Sequence, residues 1–295
     1  MLWAVFTLIA AASQTARNAM QRELTSTLGT AGATHVRFLF GFPFALLFLA
    51  GVMFVSGAAW PSPPPVFWPW LLVGALAQIA ATALMLAAMG GRSFVVTIAY
   101  IKTEPIQVAI FGLLFLGDPL NVWMMTAIVI ATVGVIVMSL KPGGMTGGIK
   151  PTLTGLAAGA MFALSAIGYR GGILSLGLSN FVMAATFTVT LGLVLQAGLL
   201  TVYLALRDRA VLSAIAAQWR RSLFAGFMGA TASEFWFLAF AIATAASVRT
   251  VALVEVLFAQ AISVFIFGQK TSAREGIGIV MIVIGVGLLI WWHPT

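Results

Sequence analysis

The sequence predicts an all-α integral membrane protein of ten transmembrane helices, built as two inverted five-helix repeats. Three observations predict it. Of 295 residues, 61% are hydrophobic and 7% charged, whereas a soluble globular chain carries about 25% charge. Apolar segments of about 20 residues, the length that crosses a bilayer, recur along the whole chain. The two sets of five share an almost constant offset across a glycine-rich centre.

In chain order the expected spans cover residues 2–20, 31–55, 66–89, 93–116, 120–140, 152–172, 180–206, 221–243, 248–267 and 276–292. Breakers separate them. Pro61-Ser62-Pro63-Pro64-Pro65 follows the second span, Gly117-Asp118-Pro119 the fourth, and Lys141-Pro142-Gly143-Gly144-Met145-Thr146-Gly147-Gly148 the fifth. The first segment opens at Leu2 without a basic leader or an Ala-x-Ala exit, so it reads as a span and not as a cleaved signal. The organisation is therefore a first repeat over 1–140, a linker over 141–151 and a second repeat over 152–295.

An offset of 151 maps Glu104 onto Glu255, Gly117 onto Gly268, Ile128 onto Ile279, Val129 onto Val280, Gly134 onto Gly285 and Val135 onto Val286. An offset of 152 maps Ser13 onto Ser165 and Gly74 onto Gly226. Five is odd, so the second copy enters the membrane upside down. Inverted repeats of this kind place a site near the midplane, between the copies. Lys and Arg gather after odd-numbered spans, at Arg17, Arg22, Arg92, Lys141, Lys150, Arg207, Arg209, Arg220, Arg221, Lys270 and Arg274. Only Arg170 and Arg249 come near the other side. That bias puts both termini outside a bacterial-type inner (plasma) membrane.

Composition also excludes classes of function. Cysteine is absent, and His35 and His293 are the only histidines, which argues against a zinc site; no metal or cofactor is expected. The net charge of +8 reads as topology and not as nucleic-acid binding. No phosphate loop or catalytic triad is present, so an enzyme is not expected.

Three acids at mid-membrane depth, Glu104, Glu234 and Glu255, are the first candidates, because a carboxylate in hydrocarbon usually faces a cavity, a partner or a substrate path. Thr97, Tyr100, Glu104, Gln107 and Phe111 share one face of the fourth span. Glu104 either lines a cavity or satisfies backbone groups beside Pro105. Glu255, its repeat mate, either completes a site between repeats or pins a kinked helix. Lys102 points about 200° away from Glu104, so Glu234 or Glu255 is its expected partner. Glu234 lies among Phe227, Ala230, Phe237 and Ala241, which suits an ammonium or aromatic ligand or simply an aromatic-rich membrane helix. Gln14, Arg17, Asn18 and Gln21 stripe the first span. Arg37 lies deeper and could attract an anionic group, whereas Arg17 and Arg22 read as snorkelling to headgroups. Trp60, Trp68, Trp70, Trp219, Trp291 and Trp292 read as interface anchors, and Gly155-x-x-x-Gly159 as a close-packing signal.

Thr103-Glu104-Pro105-Ile106-Gln107, then Phe115-Leu116-Gly117-Asp118-Pro119-Leu120, then Ile130 to Val135 resemble the signature of EamA-type permeases of the drug/metabolite transporter (DMT) superfamily. Phe267-Gly268-Gln269 and Ile284-Gly285-Val286 repeat it. Asp118 and Gln269 stand where the family usually has Glu, and Val256 replaces the second Pro. Small four-helix relatives carry a cation-binding Glu in the first helix, where this chain has Gln14. The resemblance implies a basket of two inverted repeats around a central cavity, moving small metabolites by alternating access.

The expected function is secondary transport of a small polar or zwitterionic, amino-acid-like metabolite, with proton coupling or exchange. Glu104 and Glu255 would bind an amino group or relay protons, Lys102 or Arg37 would meet a carboxylate, and Tyr100, Gln107, Phe237 and Gln14 would shape the pocket. One alternative is an organic-cation or drug efflux permease using Glu234; another is a non-transporting scaffold or enzyme. The expected partners are the metabolite and the bilayer, with no nucleic acid. The protein is expected to act as a monomer, with a dimer left open.

Overall fold

Prolines, glycines and capping side chains decide where each helix starts and stops. The computed structural model describes residues 1–89, 99–139, 149–265 and 271–291. The glycine-rich stretch 141–148, Arg92, Thr97, Gly268, Gln269, Lys270, Trp292 and His293 lie outside them.

Helix α1 runs Leu2–Leu39 and breaks at Gly29, where φ is 67° and ψ 177°, a backbone open to glycine. The polar segment 21–30, expected as a loop, is helical up to that break. It is packed inward: Gln21 donates to the Ala33 carbonyl at 2.9 Å, and Leu24 and Leu28 join Val36 in a buried cluster. Helix α2, Phe42–Ser56, opens with a proline in its first turn, where the missing N–H costs nothing. Helix α3 covers Phe67–Met89. Helix α4, Glu104–Phe111, continues as a π-helical turn, Gly112–Leu116. Helices α5, Val122–Ser139, and α6, Ile149–Ser175, follow.

The Asn180 side chain caps α7, Phe181–Arg207, accepting from the Val182 and Met183 amides at 3.1 and 3.2 Å, which satisfies two orphan donors. A short α8, Arg209–Ala217, leads to α9, Trp219–Ile242. Thr244 caps α10, Ala245–Val251. A 3₁₀ turn, Ala252–Val254, then leads into α11, Glu255–Phe265. Helix α12 is Ala273–Trp291. Among the described residues there are no strands.

Among the described residues, eight stretches are long and apolar enough to cross a membrane, by length and composition. Expected span 2–20 is the first part of the longer α1, and expected span 248–267 is divided at the turn before Glu255. The helices pair α1 with α9, α3 with α6, α5 with α12, α2 with α7, and α4 with both α6 and α10. Glycines set the closest approaches, as small residues do between helices in lipid. A Cβ on Gly134 would lie 2.8 Å from the Gly278 carbonyl oxygen, and one on Gly285 2.7 Å from that of Ala127. Phe54, Leu114 and Val122 leave apolar surface outward, and Trp60, Trp68, Trp219 and Trp291 are exposed at helix ends.

Candidate functional site

Two interrupted helices build the site. Pro105 has no N–H to give the preceding turn, and the chain makes a turn at Lys102 and Thr103 before α4. The Thr103 amide and hydroxyl both donate to the Tyr100 carbonyl, at 3.1 and 2.7 Å. In the second half the 3₁₀ turn precedes Glu255. Glu104 and Glu255 are therefore each the first residue of a new helical segment, where unpaired amides and the helix dipole favour negative charge.

Each acid is held by a base from the other half. Arg249 of α10 grips Glu104 with two parallel hydrogen bonds, Nε to Oε1 and Nη2 to Oε2, both 2.6 Å. Its guanidinium also lies 4.7 Å from the Trp236 ring centroid. Lys102 forms an ion pair with Glu255 Oε1. Gln14 of α1 joins the two halves: its amide donates to Glu255 Oε2 and accepts from Trp236 Nε1, both at 3.2 Å. The α4 entry and the α10–α11 break are thus laced by two ion pairs running in opposite senses.

A cavity of about 200 Å³ opens on this lattice, lined by Gln14, Arg17, Asn18, Lys102, Glu104, Arg249 and Glu255 with apolar neighbours. A smaller one of about 30 Å³, reaching Arg37, Tyr169, Trp236 and Phe237, shares Gln14, Phe162 and Arg249 with it. Arg17 and Arg37 are both 2% exposed. Their side chains converge, since a Cβ on Gly229 would lie 3.2 Å from Arg17 Cδ and 3.5 Å from Arg37 Cγ. Arg17 donates to Asn18 Oδ1 at 2.7 and 3.3 Å, and Arg37 to Thr82 Oγ1 at 3.2 Å. Among the described residues neither has a carboxylate partner, and Arg17 Nη1 and Arg37 Nε have no hydrogen-bond partner. Four bases meet two acids here, so the centre carries excess positive charge.

The candidate residues separate into groups. Glu104, Glu255, Lys102, Gln14, Arg37 and Phe237 line the two adjoining cavities. Tyr100 packs beside Ala99. The Gln107 amide donates to Thr103 Oγ1 at 3.2 Å, and the side chain lies against Gly159 of α6. The turn at 102–103 disrupts the regular helical stepping that had put Tyr100 and Gln107 on the face of Glu104. Glu234 lies on the other side of α9. Its Oε1 accepts from Thr186 Oγ1 at 2.5 Å, and it lines a separate lateral cavity.

Sequence reasoning assigned Arg17 to the headgroups and left Arg249 out. Because α1 continues to Gly29, Arg17 is far from a helix end; Leu24 and Leu28, at helical spacing beyond it, were the available signal. Arg249 pairs with a residue 145 positions away, and no local pattern marks that contact. Arg170 of α6 is a further missed base. It reaches Asp118 at 3.1 Å and also donates to the Phe240 and Ala243 carbonyls, which staples the loop after α4 to the end of α9.

A bundle of long apolar helices around a buried charged cavity defines a multi-pass membrane protein. Residues 1–140 match the EamA-like transporter family. A solved crystal structure shares the fold, with a TM-score of 0.73 and 15% identity over 96% of this chain and 95% of the other; at that identity the likeness is one of fold. No curated protein matches the sequence.

Proposed function

We propose that the protein is a secondary transporter of ten membrane helices in two inverted repeats, moving a small carboxylate-bearing metabolite, amino-acid-like zwitterions included, across a bacterial-type inner membrane. The observation that carries the substrate class is the convergence of Arg17 and Arg37. Both are buried, both keep an unpartnered N–H, and the nearby acids are already engaged by Arg249 and Lys102. A substrate carboxylate offers those guanidiniums the acceptors they lack. The ammonium group of a zwitterion would compete with Lys102 for Glu255. The cavity of about 200 Å³ favours small solutes, since sites for drug-sized ligands run from about 300 to 1,000 Å³.

The pairing of helices supports the inverted repeat. Under exchange of the halves α1·α9 becomes α3·α6, while α5·α12 and α2·α7 map onto themselves. Contacts follow the same exchange: Gly134 against Gly278 and Ile282 corresponds to Gly285 against Ala127 and Ala131. Alternating access then follows from rocking one half against the other about the laced breaks, with ion pairs that a charged substrate loosens.

Counterflow in proteoliposomes tests the reading, with amino acids, other small carboxylates and organic cations as separate panels. Carboxylate-bearing solutes should exchange, and Arg37→Gln, Glu104→Gln and Glu255→Gln should each reduce exchange. Parent-like counterflow by all three variants, or exchange confined to organic cations, would falsify it.

A further inference from the structure

Helix α9 has a second functional face. Ser233, Trp236 and Phe237 look toward the central cavities, whereas Phe227, Thr231, Glu234 and Phe235 line a lateral cavity of about 710 Å³. Among the described residues, the lateral cavity shares no lining residue with the central ones, and no basic residue lines it. Its other walls come from α2 and the start of α7, with Phe48 and Val52 among them. Thr231 and Glu234 are three residues apart, hence on one face of the helix. Glu234 is 8% exposed, and its Oε2 and the Thr231 hydroxyl are both buried without a hydrogen-bond partner among the described residues. Two orphan acceptors, one of them a carboxylate, side by side under an apolar wall are costly unless something completes them.

We propose that this cavity binds a lipophilic primary ammonium ion, its –NH₃⁺ on Glu234 Oε2 and Thr231 Oγ1 and its apolar tail among Phe48, Phe227 and Phe235. The head group follows from donor count. An –NH₃⁺ brings three N–H donors and a positive charge, so one group serves both oxygens and neutralises the carboxylate. A quaternary ammonium brings charge without donors, a neutral alcohol brings one donor without charge, and an anion is repelled. The tail follows from the walls: ring faces attract a cation and bury its apolar substituent, and the volume falls in the range of drug-sized sites. Binding requires Glu234 Oε2 and the Thr231 hydroxyl, both buried in the free protein, to turn toward the ligand. The site is independent of the transport reading, because none of the central bases contributes to it.

The test is equilibrium dialysis of 2-phenylethylammonium against the full chain in nanodiscs. Saturable binding is expected. Glu234→Gln should weaken it by about tenfold to a hundredfold, the worth of a hydrogen bond to a charged group, and Thr231→Val by about fivefold. The N-trimethylated analogue and 2-phenylethanol should each bind at least about tenfold more weakly than the primary amine. Gly51→Phe keeps the fold readout intact, because a Cβ at Gly51 meets nothing within 4 Å; the ring fills the cavity and should abolish binding with Glu234 in place. Equal affinity in the parent and Glu234→Gln, equal affinity for 2-phenylethanol, full binding in Gly51→Phe, or no saturable binding to the folded parent would overturn the proposal. Displacement of the probe by decanol as effective as by decylammonium would identify a lipid-chain groove and overturn it equally.

Discussion

Breaking the Arg249–Glu104 clasp from one side should cost far more than removing it whole. Both hydrogen bonds are 2.6 Å, and the side chains are 13% and 9% exposed. Glu104→Gln keeps the shape but leaves a buried guanidinium without its counter-charge, and loss of one member of such a pair costs about 3–5 kcal/mol. Arg249→Met leaves the carboxylate alone and also removes the contact with Trp236, which adds about 1 kcal/mol. Replacing both residues by Met removes the charges and their desolvation together and should return stability to within about 1 kcal/mol of the parent after the ring contact is discounted. A double-mutant cycle on Glu104→Met and Arg249→Met should therefore give a coupling of about 3 kcal/mol or more. Reversible unfolding in mixed SDS micelles, followed by circular dichroism, measures each corner. Single losses under about 1 kcal/mol that simply add would refute the reasoning: the pair would then be a solvated contact and not the lattice around which the cavity is built.

Arg17→Gln and Arg37→Gln should each raise KM for a carboxylate substrate by about tenfold or more, one lost charge-assisted bond apiece, with less effect on unfolding; proteoliposome kinetics check this, and an unchanged KM in both removes the anion subsite. Arg221→Gln breaks a pair with Glu23 whose side chains are 58% and 56% exposed, so unfolding should shift by less than about 1 kcal/mol. Gly134→Leu drives a side chain into the Gly278 carbonyl, where even a Cβ would sit at 2.8 Å; overpacking of about 1–3 kcal/mol or a lost fold is expected, while Gly51→Ala, in open space, should leave the melting curve alone. Asp118→Ala should loosen the end of α9, read as faster hydrogen exchange at residues 240–243, because Arg170 then keeps only its backbone carbonyl partners.

How much of this was legible differs element by element. Composition and apolar run length sufficed for an all-helical membrane chain, since a bilayer tolerates little else. The break before Glu104 was legible because Pro105 forces it. The matching break before Glu255 was not, since Val256 replaces the proline there and the 3₁₀ turn arises from packing. The acids were readable as a pair related by an offset of 151, and their partners were not, because the bases do not follow that offset: Lys102 corresponds to Leu253 and Arg249 to Ile98. That inequality has a mechanical consequence. Lys102 sits two residues before the acid of its own segment, and Arg249 six before its own, so the two clasps have different reach. They also differ in access to water, with side chains 21% and 11% exposed in the Lys102–Glu255 pair against 13% and 9% in the Arg249–Glu104 pair. On the proposed function, the more exposed single-point lysine pair is the one a substrate ammonium would replace, and the bidentate arginine pair the one that would hold. On the proposed inverted repeat, the two halves would open in sequence, because the acids follow the repeat offset while the bases do not, which makes the two clasps unequal.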